Sequence, residues 1–234
     1  MEILAPAKLT VSLRITGVRP DGYHLIDAEM VSLDLADRLT ISEHGAGVTY
    51  SGTHGADIAP GVDLVSQALD LVRTQAEVRV EKLIPVGGGL GGGSSDAAAI
   101  LYWAGLDDLT AAAGIGADVA FCIRGGRARV TGIGEIVDPL PYEERTYTLV
   151  FPPFECSTPA VYRRWDELGG PRGDNGNDLE PAALDLEPRL EEWRDRLGDH
   201  SGELPRLAGS GSTWLVDGTH PGPGFVVVKT VPGR

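Results

Sequence analysis

Hydrophobic and polar positions alternate most regularly over residues 7–16, where Leu9, Val11, Leu13 and Ile15 are interleaved with Lys8, Thr10, Ser12, Arg14 and Thr16. This period of two predicts a half-buried strand that carries Lys8 and Thr10 on the face opposite the apolar one. Pro20-Asp21-Gly22 predicts a turn, from which Tyr23 and His24 lead into a second extended segment reaching about Leu35. Leu39 and Ile41 predict a third strand, and the Gly-rich stretch from Gly45 to Gly61 follows no period. Leu64, Val65, Ala68, Leu69, Leu71 and Val72 have the spacing of an amphipathic helix over 63–74. Val78 and Val80 predict a short strand leading to Pro85.

Six glycines then surround Leu90, from Gly87 to Gly93, ahead of Ser94-Ser95-Asp96 and the run Ala97 to Ile100. Glycine costs about 1 kcal/mol per helical position relative to alanine. The helix is therefore expected to begin after the glycines, with Ser94, Ser95 or Asp96 as its N-cap. A second loop, Gly114-Ile115-Gly116-Ala117-Asp118, precedes the apolar run Val119 to Ile123, and short strands are expected at 127–131 and 134–138. Pro139 to Glu144 is loop-like and predicts a boundary between two domains, residues 1–143 and 144–234. The second part reads β-α-α-β-β. A strand at 146–151 precedes a helix starting at Pro159 with Thr158 as its cap and helices within 178–197. A strand beginning at Thr213 after the Gly209-Ser210-Gly211-Ser212 turn and another at 225–231 complete it. The whole is an α/β chain.

Composition narrows the classes. With 20 Lys and Arg against 34 Asp and Glu in 234 residues, the net charge is −14, which argues against broad nucleic-acid or anionic-membrane binding. An apolar share of 42% is too high for intrinsic disorder. Cys122 and Cys156 are isolated, so neither a disulfide framework nor a Cys/His metal spacing is expected. No apolar run reaches membrane-spanning length, and Met1-Glu2-Ile3-Leu4 lacks a basic, apolar leader, so a cytoplasmic protein is expected.

A glycine run that ends at a helix start lets backbone N–H groups converge on one point, where the helix dipole adds partial positive charge. An acidic protein can hold a di- or triphosphate in this way. The Walker A pattern requires a lysine that this loop lacks. Gly87-x-Gly89-x-x-Gly92 fits a dinucleotide fingerprint, but the Ala-rich helix occupies the place where a second strand ending in an acid is needed. A small-molecule kinase loop carrying serine, or a purely structural turn, remains.

The sequence resembles the GHMP kinases and, within them, the 4-diphosphocytidyl-2-C-methyl-D-erythritol kinases. Pro6-Ala7-Lys8-Leu9 opens the chain, and Arg19-Pro20-Asp21-Gly22-Tyr23-His24 follows the first strand. Pro85 to Ala98 is similar to the family's phosphate loop, Gly116-Ala117-Asp118-Val119 to its catalytic Asp segment, Asn177-Asp178-Leu179-Glu180 to a further signature, and Leu207 to Thr213 to its C-terminal glycine motif. The resemblance implies an N-terminal domain like ribosomal protein S5 domain 2, which binds ATP, and a ferredoxin-like C-terminal domain on the substrate side. It implies ATP and Mg²⁺ as cofactors, a small CDP-linked alcohol as the substrate and direct in-line phosphoryl transfer, and a monomer or weak homodimer is expected.

The resemblance also assigns roles. Asp118 would be the general base or orienting carboxylate, with Lys8 beside it. Pro85, Gly87, Gly88, Gly89, Leu90, Gly91, Gly92, Gly93, Ser94 and Ser95 would hold the nucleotide phosphates, and Ser95 would also be a metal contact. Asp63 would lie near the adenine. Thr10, Tyr23, His24, Thr158, Gly209, Ser210 and Gly211 would meet the substrate. From composition alone, Asp118 is a helix cap, Lys8 a solvated strand lysine, and Tyr23 and His24 hairpin-end residues. Thr10 and Ala120 depart from the family's Asn and Pro, which predicts a weakened substrate or Lys–Asp contact and a looser backbone behind Asp118. Two alternatives stay open: a kinase of another small alcohol, and a non-catalytic nucleotide-binding relative.

Overall fold

The computed structural model describes residues 1–55, 58 and 63–234. Strands β1 (Glu2–Val18) and β2 (His24–Ser42) form an antiparallel hairpin paired from Val18↔His24 to Glu2↔Thr40. At 19 residues, β2 extends roughly 60 Å, and its second edge serves several partners in turn. Residues 26–31 pair with β5 (Arg127–Gly132), Ser32 and Leu33 with β10 (Phe225–Val231), and residues 38–42 with β4 (Glu77–Glu81). The second segment and the third strand expected from the pattern are thus one element. Asp34 and Asp37, which interrupt its apolar run, are both bonded: Asp34 accepts the Lys229 N–H and Asp37 those of Leu83 and Ile84.

Between β2 and β4 lie β3 (Gly47–Ser51), parallel to β4, and α1 (Leu64–Leu71). The strand accounts for part of the unassigned Gly45 to Gly61 stretch, of which 56, 57 and 59–61 lie outside the described residues. Helix α2 (Gly92–Trp103) starts earlier than its composition predicts. Gly91 is the N-cap at φ 63°, no side chain caps it, and Gly92 and Gly93 are already helical. Burial of Ala97 through Leu101 beneath β1 and β2 offsets the cost of the two glycines. Helix α3 (Leu109–Ile115) is capped by Asp108 and lacks an apolar period to announce it. Helix α4 (Val119–Arg124) and the β5–β6 hairpin follow, with β6 at Ile136–Pro139.

The second half runs β7 (Thr146–Val150), α5 (Thr158–Glu167), α6 (Glu180–Leu186), α7 (Leu190–Ser201), β8 (Arg206–Leu207), β9 (Trp214–Asp217) and β10. Its antiparallel order β10-β7-β9-β8 is joined to β2 through β10, giving one continuous sheet of ten strands among the described residues. The two-residue β8 is too short to show a period.

Beta-bulges in β1 divide its apolar face. Register shifts fall between Pro6 and Lys8, Thr10 and Ser12, and Ile15 and Gly17. Ala7 and Leu9 therefore enter a small core with Leu33, Tyr147 and Leu215, whereas Leu13 and Ile15 enter the large one with α2 and α4. The single face predicted for Leu9 to Ile15 is split by the extra residue at the middle bulge. Among the described residues, no helix is long and apolar enough to cross a membrane.

Candidate active site

Lys8 and Thr10 stay together on one side of β1 and are both buried, so Lys8 is not a solvated strand lysine. The Lys8 Nζ lies 3.0 Å from Asp118 Oδ2 and donates to Thr10 Oγ1 at 3.1 Å. Asp118 stands at the N-cap of α4, but its carboxylate caps nothing and turns to Lys8 instead. The Lys–Asp contact is intact with Thr10 at its position. Thr10 supplies the lysine's second acceptor, and Ala120 is wholly buried in α4.

The glycine loop of residues 87–93 closes over this pair. The Lys8 N–H donates to Leu90 O at 3.0 Å, which ties the strand to the loop. A Cβ on Gly91 would fall 2.6 Å from Lys8 Cγ, so the loop can cross the lysine stem only without a side chain there. Gly89 presses equally close to the C-terminal glycine turn, where a Cβ would lie 2.7 Å from Gly211 O and 2.9 Å from Ala208 O. Thr213 Oγ1 donates to Gly88 O at 2.6 Å and completes this seam. Pro85 packs against Gly88, Leu90 is fully buried, Gly87 lies under the Glu155 side chain, and Gly92 over Lys82 and Ile84. Gly93 is exposed. Ser94 is half-buried near Gly116, whereas Ser95 is buried and donates its hydroxyl to Pro6 O at 2.6 Å. Asp63 is the N-cap of α1 and accepts from Ser66 N at 2.8 Å and Ser66 Oγ at 2.9 Å. The Tyr50 hydroxyl and these Ser66 bonds outweigh partial burial and hold its carboxyl below the usual range.

A cavity of about 1010 Å³ opens beside Lys8 and Asp118. Its walls include Thr10, Tyr23, His24, Gly89, Gly91, Thr158, Gly209 and Ser210, so ten of the sequence-derived residues meet in one space when Lys8 and Asp118 are counted. Pro85, Gly87, Gly88, Leu90, Gly92, Gly93, Ser94, Ser95, Gly211 and Asp63 stand outside it. Tyr23 is exposed at the mouth, with the Arg19 guanidinium 6.0 Å from its ring centre. His24 is no mere hairpin end: its Nε2 bonds Asp166 Oδ1 at 2.8 Å, and its ring lies 4.8 Å from Tyr162 and edge-on to Trp165. Thr158 does not cap α5. Ser157 holds that position, and Thr158 Oγ1 shares a hydrogen bond with Ser210 Oγ at 2.8 Å.

Sequence reasoning overlooks Tyr162 and Asp166. Both lie on the face of α5 that carries Thr158, at a spacing of four that was available as a signal. It also overlooks a buried triad behind the loop, which has no local signal. Lys82 Nζ contacts Asp37 Oδ2 and lies 2.6 Å from Asp96 Oδ2, and none of the three is more than 2% exposed. Asp96 Oδ1 has no partner among the described residues. Burial opposes the Lys82 charge, but Asp96 and Asp37 outweigh it and raise the ammonium's pKa. Burial, aided by the Asp37 charge and opposed by Lys82, pushes Asp96 up to about 7.

Folded Asp96 thus keeps a proton between pH 4 and 7 that the unfolded chain has lost. Its contribution to stability is complete below pH 4 and disappears as pH rises through 7. Asp96→Asn removes this dependence. Thermal melts of the two proteins should diverge with pH, leaving the wild type less stable than the variant at pH 8 by roughly 1–3 kcal/mol relative to their difference at pH 5. Parallel melting curves across that range would contradict the assignment.

Residues 61–126 match the family model described as the GHMP kinases N terminal domain. A 4-diphosphocytidyl-2-C-methyl-D-erythritol kinase of Pelotomaculum thermopropionicum is 37% identical over 249 residues, covering 90% of this chain and 86% of that protein. The enzyme of the same name from Paracoccus denitrificans is 37% identical over 229 residues, covering 89% and 84%. A crystal structure of 4-(cytidine 5'-diphospho)-2C-methyl-D-erythritol kinase superposes with a TM-score of 0.76 at 28% identity over 98% of both chains. L. major mevalonate kinase in complex with R-mevalonate shares the fold, with a TM-score of 0.67 at 14% identity over 99% of this chain and 96% of that one.

Proposed function

The chain belongs to the 4-diphosphocytidyl-2-C-methyl-D-erythritol kinase family within the GHMP kinases, and we propose that it transfers the γ-phosphoryl group of ATP to the 2-hydroxyl of 4-diphosphocytidyl-2-C-methyl-D-erythritol, in the non-mevalonate route to isoprenoid precursors. The observation that carries this reading is the Lys8–Asp118 pair, set in the cavity wall between the phosphate loop and the Gly209–Ser210 turn.

In this reading Asp118 accepts the proton of the substrate hydroxyl as its oxygen bonds to the γ-phosphorus. The bond to the bridging oxygen breaks, ADP leaves with the electron pair, and Asp118 returns the proton to solvent. The Lys8 ammonium offsets negative charge on the transferring group, and Thr10 fixes the lysine. The backbone of Gly87 to Ser95 and the N-terminus of α2 cradle the triphosphate, with Asp63 on the adenine side. Tyr23 and Tyr162 flank the base, and His24, oriented by Asp166, turns its free ring nitrogen to it.

Among the described residues, no group of three His, Cys, Asp or Glu side chains is placed to hold a metal. The Ser94 hydroxyl suits a hard cation already carried by the phosphates, whereas the Ser95 hydroxyl is occupied by Pro6. When bound, Mg²⁺ would neutralise charge on the β- and γ-oxygens. We assign residues 1–143 to the ATP-binding lobe and 144–234 to the substrate side, in a cytoplasmic monomer or weak homodimer.

A coupled assay of ADP release tests the function. Turnover should require both ATP and the cytidine-linked substrate. Release that is instead driven by homoserine or mevalonate, with none from the cytidine compound, would overturn the reading.

A further inference from the structure

The Asn177-Asp178 pair in the loop before α6 has no part in the mechanism above, yet it bonds to both walls of the site. Asn177 is 2% exposed. Its Nδ2 donates to Leu207 O at 2.8 Å and to Gly209 O at 2.7 Å, and its Oδ1 accepts the Leu179 N–H at 3.0 Å. The partners fix the amide's orientation, because only the nitrogen can serve two carbonyls and only the oxygen can receive an N–H. Two carbonyls two residues apart therefore converge on one side chain and bend the chain around it.

The bent segment is the Gly209–Ser210 wall of the cavity. A methyl on Gly209 would meet Thr10 Oγ1 at 3.6 Å and Lys8 Nζ at 4.0 Å, so the turn sits directly over the reacting pair. With the Gly209 carbonyl held by Asn177, the N–H groups of Gly209 and Ser210 have no acceptor among the described residues. These are the donors a ligand would find there.

The other end of the loop is fixed to the strand that carries Lys8. Leu13 N donates to Gly176 O and Asp178 N to Leu13 O, each at 2.9 Å. The buried Asp178 carboxylate receives Arg14 Nη1 at 2.6 Å, the Ile15 N–H at 2.9 Å and the Gly173 N–H at 3.2 Å. One loop thus sets the distance between β1 and the glycine turn, which come from opposite ends of the chain.

We propose that Asn177 is a positioning residue. It holds the Gly209–Ser210 turn so that its free N–H groups meet the oxygens of the alcohol substrate beside Lys8, and it does nothing for ATP. The proposal rests on the kinase reading above. The test compares wild type, Asn177→Ala and Asn177→Ser, the last retaining one donor in less volume. Measurements are KM for each substrate, kcat, the folded fraction from melting curves, and calorimetric binding of the alcohol substrate.

Asn177→Ala should raise KM and the dissociation constant for the alcohol substrate roughly 10- to 100-fold, lower kcat, and leave KM for ATP within about twofold, with Asn177→Ser intermediate. A purely structural residue would lower activity only in proportion to the folded fraction. That outcome, with both KM values unmoved in whichever variant folds, overturns the proposal while leaving the kinase assignment standing. A wild type that fails to turn over the cytidine substrate overturns both.

Discussion

Asp118→Asn should lower kcat by about 10²- to 10⁴-fold, the contribution expected of a positioned acid–base group, while the protein remains folded. The amide oxygen of Asn can still accept from Lys8 Nζ, now 3.0 Å from the carboxylate, so no buried ammonium is left bare. What disappears is a group able to take the hydroxyl proton. Lys8→Met preserves the aliphatic stem beneath Gly91 and should cost a comparable factor by leaving the transferring charge without its cation. Because the two act as a unit, the double variant should be little worse than either single one. Steady-state kinetics with ADP detection measure all three. A double variant whose loss equals the product of the single losses would mean that the residues act separately.

The largest effect on stability is expected away from the chemistry. Lys82→Met removes the only ammonium among the described residues that faces Asp37 and Asp96, in a site where neither carboxylate is more than 1% exposed. Breaking a buried ion pair by deleting one partner typically costs about 3–5 kcal/mol, a large share of a domain's net stability. Asp37 retains the Leu83 and Ile84 N–H groups, whereas Asp96, one of whose oxygens has no partner among the described residues, loses the cation that lets it ionise as pH rises through 7. Urea unfolding should show this loss, and pairing Lys82→Met with Asp96→Leu should recover much of it. An unchanged midpoint would show that the triad contributes nothing net.

These residues mark the limit of what the sequence reveals. The β1 alternation, the α1 spacing and the glycine run are local, so the strand, the helix and the glycine loop ahead of α2 are all legible, as is the approach of Lys8 to Asp118 once the family resemblance is seen. Asp37 and Lys82 are 45 residues apart, and His24 and Asp166 142 apart. No window along the chain shows such pairs. The split of the β1 core face depends on a one-residue bulge, and a bulge leaves the alternation unchanged in the sequence while turning Leu13 away from Leu9. The start of α2 inside the glycines depends on what Ala97 to Leu101 bury. Propensity predicts a later start because it weighs the glycines alone.

The long β2 strand has a consequence for biosynthesis. Its centre is completed by β10: Asp34 waits for Lys229, 195 residues further along, and Leu33 and Ser32 for Thr230 and Val231. At about 5–20 residues per second, a ribosome takes roughly 10–40 s to deliver that partner. Once β4 and β5 have been made, and until β10 follows, the nascent chain carries an open edge in the middle of an otherwise paired strand. Glycine loop, lysine strand and aspartate are all made early, yet the seam joining the two halves of the sheet, and with it the assembled cleft, forms only after translation has passed β10. The interval before that is when a trigger-type chaperone would have the most to protect.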